Sequence, residues 1–352
     1  MALPAEYRAL DAFDIKTAKY TPKQRAMKLK RAFAKGAKYN YDVAGAFSTS
    51  DGEIAVLNSL GVRCFHPYTS AALNVIATGQ DSSGYASGTS WKADDLDIAG
   101  LADVAVKKCK KAKSPKEVEP GVYEVILEPA AIGELFEWLN FVAFGSKAFE
   151  ENTSFLAGRV GEKLMGDNVT IVDDAYDPSN PGVGFDFEGV PKQRVEIISK
   201  GVAKGVVHNL MSAKRLGGKS TGHALPAEYA SEGSVPGNLQ LLAGSNTLDQ
   251  LIEQVENGLL VTRFHYINGF LDPRVALMTG MTRDGLFVIK NGKIKGGAKN
   301  LRFTDSMLDV FSNVLGMTSE RKAVASWWGG VANMFVPAVR FGKFKFTGKT
   351  DF

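Results

Sequence analysis

The stretch "GGKSTGHA", residues 217–224, sets a lysine and two hydroxyls among glycines, the residue types that cradle a phosphate. A loop of the Walker kind needs a further glycine at 213 and a helix opening at the lysine, so that backbone N–H groups and the helix dipole meet the anion. Position 213 is Ala213, and Thr221-Gly222-His223-Ala224-Leu225-Pro226 is a poor helix start. The stretch therefore reads as a polar, exposed, glycine-rich loop that binds no ATP. Carboxylates give a second candidate chemistry. Asp173 and Asp174 end a β-prone run, and Asp186 and Glu188 sit in "GVGFDFEGVP". Paired carboxylates can move protons or hold a divalent cation, while turn and strand-end chemistry accounts for them equally well. The histidines are His66, His208, His223 and His265, with no two at metal-ligand spacing and no H-E-x-x-H or G-x-S-x-G. Each reads as a packed or surface residue. Cys64 and Cys109 lie far apart and form no ligand or disulfide pattern.

The elements that must position these residues follow from periodicity and punctuation. Thr21-Pro22-Lys23-Gln24 supplies an N-cap, a proline in the first turn and a capping glutamine, so 21–38 is predicted helical, with Ala26, Leu29 and Phe33 as its apolar stripe. In "GAFSTSDGEIAVLNSLGVRCFH" (45–66), Asp51-Gly52 and Leu60-Gly61 read as turns between short strands, and 69–78 is a further strand. Residues 94–112 read as helix. The polar, proline-bearing "AKSPKEVEPG" (112–121) marks a domain boundary, giving 1–118 and 119–352. Beyond it, 122–128 is a strand and 130–145 a buried helix. Strands follow at 169–174, 193–201, 238–244, 258–269 and 274–280, and a hairpin at 285–303 turns on Asn291-Gly292. Helices over 247–257 and 305–315 interrupt them. Strands joined without alternating helices predict an α+β fold: an N-terminal mixed α/β domain followed by a C-terminal domain on a large antiparallel sheet.

A chain of 352 residues is long enough for two domains with substantial cores. Its 45% hydrophobic and 23% charged residues exclude a disordered or fibrous class. No apolar run reaches the ~18 residues of a membrane span. "MALPAEYRALDAFD" has no basic segment leading into an apolar one, so no secretory leader is expected and the cytoplasm is the expected location. The net charge of +4 is mild, but lysine and arginine concentrate in 16–38 and in "KKCKKAKSPK" (107–116). No aromatic residue interleaves with the lysines of 107–116, so a solvated helix face is expected, with nucleic-acid binding as the alternative.

Read in order, "LEPAAIGELFEWL", "FLAGRVGEKLMGDNVTIVDD", "FDFEGVPKQRVEIISKGVAKGVVHNLMSAKRLGGKSTGHA", "GLLVTR", "TGMTRDGLFVIKNGKI" and "KNLRFTDSMLDVFSNV" resemble the C-terminal domain of the TldD/PmbA family. "GAFSTSDGEIAVLNSLGV" is similar to the same family more weakly. "AKRLGGKSTGHA" is similar to its signature loop, not to a nucleotide loop. Family members are typically longer at the N-terminus by about one structural unit.

The resemblance implies an assembly of two related subunits. The TldD-type subunit is a zinc peptidase with H-E-x-x-x-H on the helix after the strand that opens the C-terminal domain; the PmbA-type subunit, also called TldE, lacks it. Here the corresponding stretch is "PAAIGE". Pro129 and Glu134 fall at the two ligand histidines and Ala130 replaces the general-base glutamate. A further cysteine ligand expected near the C-terminus is missing. The resemblance thus implies a PmbA-like chain with no catalytic residue, metal or cofactor of its own, and zinc in a TldD-like partner subunit. A heterodimer or higher assembly is expected, with a homodimer when the partner is absent. The implied substrates are small or unfolded peptides, including peptide-antibiotic precursors and antitoxins. Arg215, Lys219, Ser220, Thr221, Gly222 and His223 are the candidate substrate or partner contacts. Trp327, Trp328, Met334, Phe335 and Phe341 could form an interface or close the core. The alternatives are a stand-alone hydrolase using Asp173, Asp174, Asp186 or Glu188, and a non-enzymatic nucleic-acid-binding protein.

Overall fold

The computed structural model of the chain describes residues 1–326 and 333–350. After α1 (Ile15–Ala18) and α2 (Pro22–Ala37) come β1 (Asp42–Leu57), β2 (Arg63–Thr78), β3 (Ser83–Ser90) and α3 (Ile98–Lys111). The three strands form an antiparallel sheet in the order β1-β2-β3, covered by α2 and α3. Thr21 and Gln24 close the capping box expected at the start of α2.

Two expectations fail in this sheet. Asp51-Gly52 is not a turn: β1 runs through it, pairing Asp51 with Thr69 and Gly52 with Tyr68. The Tyr68 ring lies where a Gly52 side chain would stand, 2.6 Å from an added Cβ, so this glycine admits a cross-strand aromatic. The expected stripe of α2 is also misplaced. Ala26 and Phe33 face outward, and the helix packs through Leu29, Ala32 and Gly36. Gly36 sits against Val43 and the Tyr41 carbonyl, so small residues, not the bulkiest ones, set the buried face.

The second part opens with β4 (Gly121–Leu127) and α4 (Pro129–Leu139), followed by a π-helical turn at Asn140–Phe144 and α5 (Ser146–Glu150). The helix expected to run to 145 therefore stops at 139 and widens. Then follow β5 (Ile171–Asp173), β6 (Val195–Ser199), β7 (Val202–Ala203), α6 (Leu210–Arg215), β8 (Leu239–Leu241) and α7 (Leu248–Glu253). The chain continues through β9 (Asn257–Asp272), β10 (Leu277–Lys290), β11 (Lys293–Ala298), β12 (Leu301–Ser306), α8 (Met307–Ser312), β13 (Val314–Ala325) and β14 (Asn333–Lys349).

These strands form one 11-stranded sheet along β11-β10-β9-β4-β14-β8-β5-β6-β7, with β12 joining β10 to β14 and β13 pairing β14. Pairing is antiparallel except at β4–β9 and β8–β14. The pairings β10–β9–β4–β14–β12–β10 close a ring. Phe264, Phe303 and Phe344, on three of its strands, pack together at centroid separations of 4.7–5.8 Å and are fully buried. Asn291 and Gly292 take positive φ at the β10–β11 turn, as that pair predicts. Met334, Phe335 and Phe341, considered above for an interface, are buried within this chain, so they belong to its core. Trp327 and Trp328 lie outside the described residues.

The two parts touch directly. β3 lies against β10 and β13, Lys108 of α3 pairs with Glu128 ahead of α4, and Tyr7 donates to the Gly189 carbonyl at 2.8 Å.

Candidate functional site

Pro129 occupies the first turn of α4, where a missing N–H costs nothing. Five residues on, Glu134 points toward β9. Gly133 lets the helix approach β13, where an added Cβ would meet Val324 at 2.6 Å. Glu134 Oε1 lies 4.0 Å from Arg263 Nη1, and its Oε2 is buried with no hydrogen-bond partner among the described residues. Burial pushes this carboxyl up to about 8, against the pull of Arg263.

Arg263 is held from two sides. Its Nε and Nη2 donate to Asp284 Oδ2 at 2.9 and 2.5 Å. The register of β10 breaks between Arg283 and Leu286, and Asp284 and Gly285 there adopt φ of +53° and +134°. That bulge turns Asp284 toward Arg263. From the other side, the Tyr85 ring of β3 sits 4.7 Å from the guanidinium carbon. The cation thus stands where the two sheets meet. Sequence reasoning reached Glu134 but not Arg263, Asp284 or Tyr85. Arg263 lies in "GLLVTR", and a lone arginine in a strand carries no spacing signal.

Zinc does not fit this position. A catalytic zinc needs three protein ligands of the His, Cys or carboxylate type. Pro129 offers no ligand atom, Glu134 is a lone carboxyl, and a guanidinium stands beside it. Among the described residues no group of three His, Cys, Asp or Glu side chains is placed to hold a metal ion. Cys64 and Cys109 are buried in the first part of the chain, where burial raises both thiols.

The signature loop is built differently from its expectation. α6 is capped by Asn209, whose side chain accepts from Ser212 N–H, and ends with Gly217 at φ +74°. The loop therefore follows the C-terminal end of a helix, the end that repels anions. Gly217, Gly218 and Lys219 are exposed, but Ser220, Gly222, His223 and Ala224 are buried, so the loop is a surface feature only in its first half. Four of its N–H groups are already engaged: Gly218 donates to Ala213 O and Thr221 to His208 O, Gly222 to Ser220 Oγ, and Ala224 to Asp186 Oδ2. Of the candidate contacts, Arg215 pairs with Glu150 at 3.0 Å and Lys219 alone projects freely outward.

His223 is fully buried and its Nε2 lies 2.7 Å from Asp173 Oδ2. Its Nδ1 is 2.9 Å from Thr221 Oγ1. Burial and the nearby Lys192 ammonium push the imidazole below its ordinary value, so it is neutral. A neutral ring donating to Asp173 leaves Nδ1 to accept from the threonine. Burial works against the Asp173 carboxylate, but His223, Lys192 and the Asn238 N–H hold it below the usual range. Asp186 accepts from the N–H groups of Glu188, Val190 and Ala224. Glu188 accepts from Leu210 N–H, and Asp174 from Tyr176 N–H. The structure brings Asp173, Asp186 and His223 together, as a scaffold whose acids are spent on backbone donors and on the His223 ring.

Residues 16–112 match the family model for the central domain, and residues 120–348 that for the C-terminal domain, of the PmbA/TldA metallopeptidases. An uncharacterised protein of Methanocaldococcus jannaschii is 27% identical over 261 residues, 72% of this chain and 59% of that protein. A protein named metalloprotease from Methanothermobacter thermautotrophicus is 25% identical over 315 residues, 83% of this chain and 66% of that protein. The chain thus spans 59% and 66% of the length of these two curated relatives. The crystal structure of TldE from Thermococcus kodakarensis superposes with a TM-score of 0.88 at 22% identity, over 99% of this chain and 79% of that one. No helix among the described residues is long and apolar enough to cross a membrane.

Proposed function

The chain belongs to the PmbA/TldA metallopeptidase family, and on that premise we propose that it is a PmbA-like, non-catalytic subunit of a two-subunit zinc peptidase. It pairs with a TldD-like subunit that carries the metal and helps enclose the space where small or unfolded peptides are cut. The observation that carries this reading is Arg263. A fixed guanidinium lies 4.0 Å from Glu134, at the position where the active branch has its second histidine ligand. The guanidinium repels a dication at that distance, and Asp284, the carboxylate bonded to it, is already taken up by the arginine.

Further support comes from the surface. Tyr266, Phe270, Leu271 and Val275, at and beside the β9–β10 connection, are exposed large apolar residues. Aromatic residues of this kind are enriched at interface centres, and the Phe270 ring packs edge-on against Trp138 of α4 at 5.2 Å. A partner seated there would lie next to the Glu134–Arg263 position. An extended peptide bound inside the assembly could add as a strand to a sheet edge, which gives sequence-tolerant affinity.

The test is light scattering on the purified chain, alone and mixed with a TldD-type protein from the same organism, with elemental analysis of each. The expected result is a mixed complex burying at least ~1,200 Å², peptidase activity only in the mixture, and zinc only with the partner. A strict monomer that ignores the TldD-type protein at tens of micromolar, or stoichiometric zinc in this chain, overturns the reading.

A further inference from the structure

Residues 16–38 carry nine lysines and arginines, residues 107–116 carry six, and neither stretch has an acidic residue. In sequence they are separate runs, each fit for a solvated face. In the fold they become one surface, because α2 and α3 pack side by side. Lys35 of α2 lies 2.6 Å from Asp103 of α3, and Lys38 and Lys107 also face that carboxylate.

The aromatic residues missing from 107–116 are supplied by the turn after α2. Asn40 takes φ +56°, and the rings of Tyr39 and Tyr41 stack at 5.9 Å with 23° between their planes. Tyr41 is buried in the core beneath the helices, whereas Tyr39 is 48% exposed. The Lys110 ammonium lies 5.3 Å from the Tyr39 ring centre and Lys113 the same distance from Tyr41. Among the described residues, Lys38, Lys107, Lys110 and Lys113 have no carboxylate within ion-pair distance. The result is an anchored, half-exposed ring with the Lys110 ammonium beside it, on a basic face that also carries Lys38, Lys107 and Lys113.

We propose that this face, centred on Tyr39 with Lys38, Lys107, Lys110 and Lys113, binds single-stranded nucleic acid. A base stacks on Tyr39, and the lysines hold the phosphates on either side. An unpaired strand suits the face better than a duplex does, because a duplex hides the base faces that an aromatic ring would stack on. The cluster has no arginine to fork onto a base edge, so binding is sequence-tolerant. An acidic peptide or an anionic membrane would satisfy the lysines but would leave the exposed ring without a role.

The experiment is fluorescence anisotropy with a labelled oligothymidylate of about 12 nucleotides, a length within the range single-strand binding folds cover. Micromolar binding at low salt is expected, with a logarithmic salt slope near −3 for about four phosphate contacts at roughly −0.7 each. Tyr39→Ala should weaken binding by roughly fivefold or more, while Tyr39→Phe retains it. Lys110→Ala with Lys113→Ala should weaken it and flatten the salt slope. Unchanged thermal melting confirms that these exposed positions leave the fold intact. A duplex of equal length should bind more weakly, and polyglutamate should compete poorly. Absence of binding at tens of micromolar overturns the proposal. So does affinity indifferent to Tyr39→Ala, or equal affinity for polyglutamate or phosphatidylserine vesicles.

Discussion

Arg263 Nη1 lies 4.0 Å from Glu134 Oε1, bringing a strand cation to the face of α4 from which Glu134 projects. Asp284 claims the same guanidinium at 2.5 Å. Burial holds Glu134 protonated up to about 8, so the three groups together carry no net charge near neutrality. The position is electrically complete with side chains alone. It is also mechanically complete, since Tyr85 of the other sheet closes over the guanidinium.

Removing the cation should therefore cost stability. Arg263→Leu leaves Asp284 buried and unpaired, an effect of about 3 kcal/mol in urea unfolding. Adding Asp284→Asn to Arg263→Leu should recover most of that loss, because the orphaned charge is gone. Additive losses in the double variant would mean that the pair is not coupled.

Glu134 makes the opposite kind of test. Its folded value of about 8 lies above the ordinary 4.5. The folded state therefore keeps the proton longer than the unfolded chain. Its contribution to stability is full below 4.5 and is lost as pH rises through about 8. Glu134→Gln removes that slope. The variant should melt higher than the parent at mildly alkaline pH, with the gap closing toward pH 4.5. A gap independent of pH refutes an elevated Glu134.

What the sequence shows of this fold depends on the range of the forces involved. Caps and turns are local, so the starts of α2 and α7 and the Asn291-Gly292 hairpin are legible. The face on which α2 packs is not, because Gly36 and Ala32 were chosen by what Val43 and Tyr41 present across the gap. The Asp51-Gly52 pair looks like a turn until Tyr68 is placed over it. Glu134 stands out in the sequence through "PAAIGE", but the groups around it do not. Arg263, Asp284 and Tyr85 lie far apart in sequence, and a β-bulge brings the first two together. The Tyr39–Lys110 contact is hidden in the same way.

The histidines give an acid signature. Burial lowers His66, His208, His223 and His265 below the ordinary 6.5. The unfolded chain therefore takes up protons first, and stability present above 6.5 is lost as pH falls below it. Melting temperature should drop from pH 6.5 downward, and His223→Leu should reduce that drop while lowering stability at neutral pH, where Asp173 loses its donor. A flat profile down to the carboxylate range refutes the buried neutral His223.

The glycines of 217–224 separate a phosphate cradle from a structural clasp. A cradle needs Gly217 and Gly218 near the anion, with Lys219 reaching it. In this fold an added Cβ at either glycine meets nothing within 4 Å. Gly218→Ala should change stability by no more than about 0.5 kcal/mol, and Gly217→Ala by about 1 kcal/mol for its left-handed backbone. Gly222 is different. Its φ is +75°, and an added Cβ would stand 2.4 Å from the Pro191 carbonyl oxygen. There the loop crosses the 191–193 segment, and Gln193 N–H donates to Thr221 O just beside it. Gly222→Ala must push the two segments apart, loosening the buried contact between His223 and Asp173. The expected loss is about 2–4 kcal/mol, the range for strain at a crowded, left-handed position with a buried polar pair beside it. Urea unfolding of the three variants decides the matter, together with ATP titration of Lys219→Ala. Large losses at Gly217 or Gly218 with ATP binding that depends on Lys219 would restore the phosphate reading. A loss confined to Gly222, without ATP binding, fits a loop whose second half is tied into the sheet.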